Sequence, residues 1–257
     1  MTSRFSPITT SRLEKAAVDN GFDRELPRDD DWLSFASTQC PLQIWLGSLG
    51  DRFLVGLSRQ NVSRALDEYG MPIAVPLPKG AVGGRSVTDI PALHRLLRRA
   101  FQLSKTLPDE LLHTFEKETA ALPKKTEAER LVIQRVGQGI FRQGLVDFWE
   151  GRCAITGLAV AELLRASHIK PWADCANDAE RLDVYNGLLL APDLDAAFDR
   201  GFITLADDGI VVVAGALDAG ARRVLGLEEP LCVRGLADGH RAYLPWHRER
   251  VFVGAGL

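Results

Sequence analysis

Apolar residues in the first half of the chain form short runs and helix-like repeats. Two runs typical of β-strands, LQIWL at 42–46 and FLVGL at 53–57, are joined by a glycine-containing turn that predicts a hairpin. A Pro/Gly-rich stretch at 71–84 predicts a loop with one possible edge strand. The remaining elements are helical candidates at residues 11–21, 61–70 and 90–119.

The second half opens with a long amphipathic segment. The Leu-Pro-Lys-Lys stretch at 122–125 is the predicted linker, and directly after it Thr126 and Glu129 have the spacing of a capping box. Apolar residues then recur at helical spacing, which predicts a long helix over residues 126–149. The predicted domains are residues 1–123, a small α+β domain, and 124–257.

A shorter pattern follows this helix. The segment LLRASHI predicts a β-strand that ends on His168. A second apolar run opens at Asn186, and beyond it Asp195 and Asp199 stand four residues apart, which places both carboxylates on one face of a short helix. The segments GFITL and GIVVV, joined by Asp-Asp-Gly, predict a final hairpin.

Composition restricts the class of protein. The chain has 257 residues, a net charge of −3 and a mean hydropathy of −0.04. It lacks an apolar run of the roughly 18 residues that a membrane-spanning helix needs, and its first residues lack the apolar core of a secretory signal. We therefore expect a cytoplasmic protein that is not a membrane protein. Residues 124–170 are net basic and 171–257 net acidic, as a phosphate-binding strip beside a carboxylate pocket would be.

One histidine, one asparagine and two carboxylates on one helix face form a set suited to phosphodiester hydrolysis. A histidine can deprotonate water near neutral pH, an amide can orient that histidine without adding charge, and carboxylates can hold a hard divalent cation. Taken singly, each residue has a structural alternative: His168 as a hydrogen-bonded core histidine, Asn186 as a turn residue, and Asp195 with Asp199 as a solvated helix face.

The order His168, Asn186, Asp195 resembles the HNH motif, with aspartate where many members have a third histidine or an asparagine. The surrounding segments make the resemblance more specific: CAITG, ASHIKPW, RLDVYNGLLL, D-x-x-FDRGFI and the late YLPWHRERVF. They are similar to a bacterial subgroup of restriction-type HNH endonucleases, over about residues 130–252. The resemblance implies a ββα-metal nuclease module with a long lead-in helix, so that the expected fold class is α+β.

The resemblance also implies roles for individual residues. His168 corresponds to the general base, Asn186 to the residue that orients it, and Asp195 to the third motif position, usually a metal ligand. Asp199 is a plausible neighbouring ligand. Ser167 stands where many members have an aspartate or a histidine as a second ligand, so that Ser167, a water or Asp199 is expected to fill that place.

The expected cofactor is a single Mg²⁺ or Mn²⁺. Structural zinc is not expected, because the four cysteines are scattered and form no C-x-x-C pair like those of zinc-binding members. Contacts to nucleic acid are expected from Arg135, Gln138, Arg142 and Lys170. His247 was open to two interpretations, a second phosphate contact or a histidine that packs the tail.

These features predict a DNA endonuclease, and most specifically a modification-dependent restriction enzyme of bacterial defence. The first half would then read the DNA, with Trp45 and Arg85 among the residues that could form a reading surface or equally a core. Two alternatives remain open: a nuclease effector toxin, and a non-catalytic DNA-binding protein on a decayed HNH fold. Because apolar residues surround much of helix 126–149, a homodimer is expected.

Overall fold

The computed structural model describes residues 6–29, 31–107, 109–123 and 125–254, so that Lys124 of the predicted linker and Asp30 lie outside the described residues. The chain divides into two compact units, Met1–Leu107 and Pro108–Leu257. In the described parts of the chain, no helix has the length and apolar character needed to cross a membrane.

The first unit contains a six-stranded antiparallel sheet in the order β1-β2-β3-β4-β6-β5. Its strands are β1 Arg24–Asp29, β2 Trp32–Ala36, β3 Gln43–Leu49, β4 Arg52–Leu57, β5 Met71–Pro72 and β6 Gly83–Val87. Its helices are α1 Pro7–Asp19, α2 Gln60–Arg64 and α3 Ile90–Thr106. Ser6 and Asp89 cap α1 and α3, each accepting a hydrogen bond from a backbone N–H three residues on.

Several local predictions for this unit are confirmed and others need correction. The runs at 42–46 and 53–57 form the hairpin β3–β4, and the Pro/Gly-rich stretch contributes the edge strand β5. The predicted helix 61–70 is instead the short α2 followed by a separate 3-10 turn at Asp67–Tyr69. Strands β1 and β2 were not predicted, because the exposed edge strand RELPRD has the polar composition of a loop.

The reading-surface interpretation is wrong for two residues of this sheet. Trp45 is only 3% exposed and Arg85 only 8%. The Arg85 guanidinium donates to the carbonyls of Ser63 and Gly84 and pairs with Asp67. The guanidinium of this buried arginine thus binds polar groups inside the unit, and it cannot reach DNA.

The second unit starts with two helices, α4 Glu110–Thr119 and α5 Glu127–Phe148. The predicted helix 126–149 is confirmed, together with its capping box between Thr126 and Glu129. The boundary between the two compact units falls after Leu107, whereas the boundary predicted from the sequence was 123/124. The difference is α4, which packs against α5 through Leu111 and Phe115 and so belongs to the second unit.

The rest of the second unit alternates short strands and helices. They are β7 Arg165–His168, α6 Asp178–Arg181, β8 Gly187–Leu190, α7 Pro192–Asp199, β9 Ile203–Leu205, β10 Val211–Val213, α8 Ala219–Val224, α9 Asp238–Arg241 and α10 Leu244–Arg250. β7 pairs with β8 and β9 with β10, both antiparallel. The predicted strand ending on His168, the short helix with both aspartates and the final hairpin are confirmed.

Glycines permit the close packing that positions β8 and the loop before it. A Cβ on Gly187 would lie 2.5 Å from the Phe141 ring and 2.8 Å from Leu145, so that β8 approaches α5 more closely than any other residue would allow. Gly137 of α5 likewise makes room for the indole of Trp172. These contacts fix the hairpin β7–β8 and its connecting loop against α5.

Candidate functional site

The strand β7 brings two of the predicted site residues to a cleft of about 320 Å³. In the antiparallel pair, His168 lies opposite Gly187 and Ser167 opposite Leu188. The cleft is lined by residues of β7 and the turn after it, one residue of α7, and two at the end of the chain: Ala166, Ser167, His168, Ile169, Pro171, Trp172, Asp199, His247 and Val251. His168, Ser167 and Asp199 therefore share one opening.

The imidazole of His168 is held on three sides. It stacks on the Phe141 ring at a centroid distance of 3.8 Å and an interplanar angle of 15°, and the edge of Trp172 meets it at 5.7 Å. Its Nε2 lies 2.9 Å from the carbonyl oxygen of Arg181. Since a carbonyl only accepts, Nε2 carries the proton in the neutral ring, and Nδ1 is left as the basic nitrogen.

Burial dominates the protonation of this ring. Desolvation lowers the pKa of His168 to about 4, although the hydrogen bond to the Arg181 carbonyl acts in the opposite direction. His168 is therefore neutral at physiological pH, with a free basic lone pair. Within the described residues no hydrogen bond reaches its Nδ1.

Arg181 positions the carbonyl that holds His168, a role that the sequence did not reveal. Its guanidinium donates to the carbonyls of Trp172 (3.2 Å) and Cys175 (3.0 Å), and it pairs with Asp178 at 2.9 Å. It also lies over the Trp172 ring. The side chain thus clamps the loop between β7 and α6 while its own backbone carbonyl faces His168.

Asn186 does not contact the His168 ring, so the predicted direct orienting role is wrong. The fully buried amide accepts from the backbone N–H of Lys170 (2.8 Å) and donates to the carbonyls of Lys170 and Glu180 (both 3.1 Å). It also lies 3.4 Å from the Cys175 sulfur. Asn186 therefore ties together both ends of the loop that leads to Arg181, whose carbonyl holds His168.

Two of the four predicted nucleic-acid contacts have other partners. Lys170 forms an ion pair with Glu180 at 2.7 Å, with both side chains largely shielded from solvent. Arg142 donates to the carbonyls of Leu164 (2.6 Å) and Ala161 (3.0 Å) and so braces the turn before β7. Lys170 and Arg142 therefore stabilise the local fold. Arg135 and Gln138 are exposed on α5, as a contact to an external ligand requires.

The carboxylates of Asp195 and Asp199 meet at Ser167. The buried Ser167 hydroxyl donates to Asp199 at 3.0 Å. Partial desolvation raises the pKa of both carboxyl groups, and at Asp195 the charge of Asp199 raises it further. Ser167 lowers the pKa of both, and the charge of Arg165 lowers that of Asp195. The two carboxylates thus repel each other in a partly desolvated place.

This donor set fits a hard divalent cation that keeps several water ligands. No group of three or more histidine, cysteine or acidic side chains in the described parts of the chain is arranged around a common metal position. Two carboxylates nevertheless suit Mg²⁺, which is commonly held by one or two carboxylates together with water and substrate phosphate. A bound cation would also relieve the repulsion between Asp195 and Asp199.

His247 lies at the same cleft but is fully engaged. Its Nδ1 is 2.9 Å from the Thr204 hydroxyl and its Nε2 3.1 Å from the Phe198 carbonyl. The side chain is 1% exposed and stacks on Phe198 at 3.8 Å. With both nitrogens occupied, His247 packs the tail against β9 and α7, and the interpretation as a phosphate contact is wrong.

The four cysteines are free thiols, three of them buried. The sulfur of Cys153 accepts from the backbone N–H groups of Thr156 (3.4 Å) and Ala191 (3.3 Å), which joins the turn after α5 to the end of β8. Cys175 contacts Asn186 in the loop described above. Cys153 and Cys175 therefore have structural contacts.

Comparison with protein families gives a match over the part of the chain that carries the site. Residues 153–206 match the family model described as HNH endonuclease. This segment extends from the turn before β7 to β9 and includes His168, Asn186, Asp195 and Asp199. No curated protein matches the chain. The segment that carries the cleft is thus similar to nucleases of the HNH type, and the first unit lies outside the match.

Proposed function

We propose that this protein is a divalent-metal-dependent endonuclease that hydrolyses phosphodiester bonds of DNA. The observation that carries the proposal is the state of His168: a neutral ring, fixed through Nε2–H to the Arg181 carbonyl, that lines one cleft together with Asp199 and whose Nδ1 has no hydrogen-bond partner among the described residues. The HNH endonuclease match over the same residues supports it. The arrangement β7, β8, α7 would serve as the ββα-metal module.

In this mechanism each residue of the site has a separate role. His168 takes a proton at Nδ1 from the water whose oxygen attacks phosphorus, while the bond from phosphorus to the leaving oxygen breaks. Phe141 and the Arg181 carbonyl keep the imidazole in one orientation, and Trp172 limits the access of solvent to it. The negative charge of a nearby phosphate would raise the pKa of His168 above its value in the free protein and so make it a stronger base.

Asp195 and Asp199 would hold the cation, with Ser167 orienting Asp199. When bound, Mg²⁺ or Mn²⁺ would stabilise the charge that develops on the phosphate and on the leaving oxygen. Ser167 fits better as an orienting hydroxyl than as a ligand, because its proton is directed to Asp199.

The test is cleavage of supercoiled plasmid by the intact protein with Mg²⁺ or Mn²⁺. We expect nicking that EDTA abolishes, and a double variant Asp195→Asn, Asp199→Asn that stays folded but loses cleavage at any attainable metal concentration. A matched control is Asp208→Asn, which removes a carboxylate from the exposed turn between β9 and β10. Cleavage that persists in EDTA or in the double variant would refute the metal-dependent mechanism.

A role in restriction is the more specific part of the proposal. A small nuclease module has little sequence preference of its own, and a defence enzyme must spare host DNA, so that the first unit would supply the selection. The test compares cleavage of one plasmid prepared with and without modified bases. Equal rates on both would remove modification-dependent restriction and favour the effector-nuclease alternative.

We also propose that the active form is a homodimer, since one such site cuts one strand and a double-strand break needs two. Leu131 and Val132, near the start of α5, are 53% and 51% exposed and could take part in self-association. Light scattering at micromolar concentration should give twice the chain mass, and the double change Leu131→Lys, Val132→Lys should reduce it. A monomeric wild type would contradict the proposal.

A further inference from the structure

Several cations around the cleft already have partners, and Arg165 does not, among the residues that the structure describes. Lys170 pairs with Glu180, Arg142 binds two carbonyls, and Arg181 clamps its own loop. Arg165, the first residue of β7, is exposed, and no hydrogen bond or ion pair holds its guanidinium within the parts of the chain that the structure describes. Arg165 is therefore available for a ligand, as is Arg200 directly after Asp199, but of the two only Arg165 lies on β7.

Strand geometry places Arg165 on the same side of β7 as the aspartate pair. Successive strand residues alternate between faces, so that Arg165 and Ser167 share one face and Ala166 and His168 the other. The Ser167 face is the one that meets α7, because the Ser167 hydroxyl donates to Asp199. Asp195 stands one turn before Asp199 on the same helix face, just as Arg165 stands two strand residues before Ser167.

Electrostatics agree with this placement. The charge of Arg165 is close enough to lower the pKa of Asp195, whereas the Asp199 carboxylate beside it raises that pKa. A guanidinium whose charge acts on Asp195, a carboxylate repelled by that of Asp199, is a natural counter-ion when no metal ion is bound.

We propose that Arg165 neutralises the Asp195–Asp199 pair while the cation site is empty and, once a divalent cation binds, turns to a phosphate of the DNA backbone. The idea rests on the proposed nuclease function and adds a substrate-binding residue to it. A divalent cation held by the carboxylates would repel the guanidinium and cancel its attraction to Asp195. The planar, bidentate donor pattern of arginine then suits a phosphate of the strand to be cut.

This exchange predicts opposite effects on the two ligands. In Arg165→Gln the carboxylates lose their internal competitor, so that Mn²⁺ should bind several-fold more tightly in calorimetric titration without DNA. The same change removes one phosphate contact, so that DNA affinity at saturating Mn²⁺ should fall by about 10-fold. The slope of log affinity against log salt should decrease by about one unit.

The experiment uses the full chain with His168→Ala in the background, so that DNA is bound and not cut. Arg165→Lys keeps the charge and should bind Mn²⁺ like the parent, but should restore DNA affinity only in part because lysine lacks the bidentate geometry. The control Arg223→Gln removes another exposed arginine, one that pairs with Glu228 and lies on α8, and should change the binding of neither ligand.

The outcomes separate this inference from the proposed function. If the parent binds Mn²⁺ and DNA while Arg165→Gln matches it on both, or weakens both, the exchange is overturned and the nuclease proposal stands. If the parent protein itself fails to bind Mn²⁺, the metal-dependent function falls, and the role of Arg165 falls with it. Tighter Mn²⁺ binding with weaker DNA binding supports the exchange, since general damage to the fold would weaken both.

Discussion

The surroundings of His168 and His247 are almost the same by three measures. Each ring stacks on a phenylalanine at 3.8 Å, Phe141 in one case and Phe198 in the other. Each Nε2 lies about a hydrogen-bond length from a backbone carbonyl, at 2.9 and 3.1 Å. Burial lowers the pKa of both to about 4.

The two rings differ in the partner of one nitrogen, Nδ1. The Thr204 hydroxyl occupies Nδ1 of His247, whereas no side chain or backbone group in the described regions reaches Nδ1 of His168. Neither burial nor a displaced pKa therefore identifies a general base in this protein. The unused lone pair on Nδ1 is the property that distinguishes His168, since both histidines line the cleft that Asp199 also lines.

The largest expected effect comes from removing each ring in turn. His168→Ala should reduce cleavage by at least 100-fold, because general-base catalysis contributes roughly 10²–10⁴ in rate. His247→Ala should keep activity within a few-fold at temperatures where it remains folded, but should melt at a lower temperature because it loses a stacked ring and two buried hydrogen bonds. Plasmid nicking and thermal unfolding, measured on the same samples, separate the two effects.

His113→Ala serves as the control, since His113 is exposed on α4. A folded His247→Ala that loses as much activity as His168→Ala would contradict the distinction drawn between the two rings.

Acid should destabilise the folded protein through His168 and His247 in the same way. A histidine with a pKa near 4 in the folded state and near 6.5 when unfolded leaves stability intact above pH 6.5. As the pH falls from 6.5 to 4, protonation of the unfolded chain lowers the free energy of unfolding. Each such histidine should lower the free energy of unfolding by up to about 3 kcal/mol below pH 4. Urea unfolding from pH 7 to pH 4.5 measures this loss, and His247→Gln should make the pH dependence shallower; a steeper loss in the variant would refute the assignment.

Asn186→Ala tests whether the fixed orientation of His168 depends on the loop that Asn186 holds. The loss of several buried hydrogen bonds should cost roughly 1–3 kcal/mol of stability. Amide hydrogen exchange should accelerate across residues 170–181 before it does in β9 and α10 around His247. Cleavage should fall because the Arg181 carbonyl is no longer held in place. Unchanged exchange in that loop would show that other contacts keep it ordered.

The smallest expected effect comes from freeing the second nitrogen of His247. Thr204→Val keeps the shape of the side chain and removes the hydroxyl that contacts Nδ1. The expected cost is about 1 kcal/mol of stability, measured by urea unfolding. No cleavage should appear when this change is placed in a His168→Ala background, because His247 is 1% exposed. Restored cleavage in that double variant would mean that a free nitrogen at this cleft is sufficient by itself.

Local patterns in the sequence predicted the elements that carry the site. The capping box set the start of α5, the apolar run ending on His168 predicted β7, and the four-residue spacing placed Asp195 and Asp199 on one face of α7. These features depend on residues a few positions apart, so that backbone geometry alone links them. The segment later matched to the HNH endonuclease family was recognisable for the same reason.

Partners distant in the chain were not predictable in this way. The direct pairing of Asn186 with His168 was wrong, because the atom that holds the imidazole is the backbone carbonyl of Arg181, and every residue has a carbonyl. Lys170 was predicted to contact phosphate, but in the folded loop it forms an ion pair with Glu180. Arg165 was not selected, since only the packing of α7 on β7 places it beside Asp195.

The sequence by itself determined which side chains can do chemistry and which elements carry them, since composition and short-range spacing are written in the chain. Only the tertiary structure decided which nitrogen of which histidine is free and which cations are already neutralised. Those properties arise from desolvation and from contacts between residues 10 to 49 positions apart, and such contacts exist only once loop and helix have packed together.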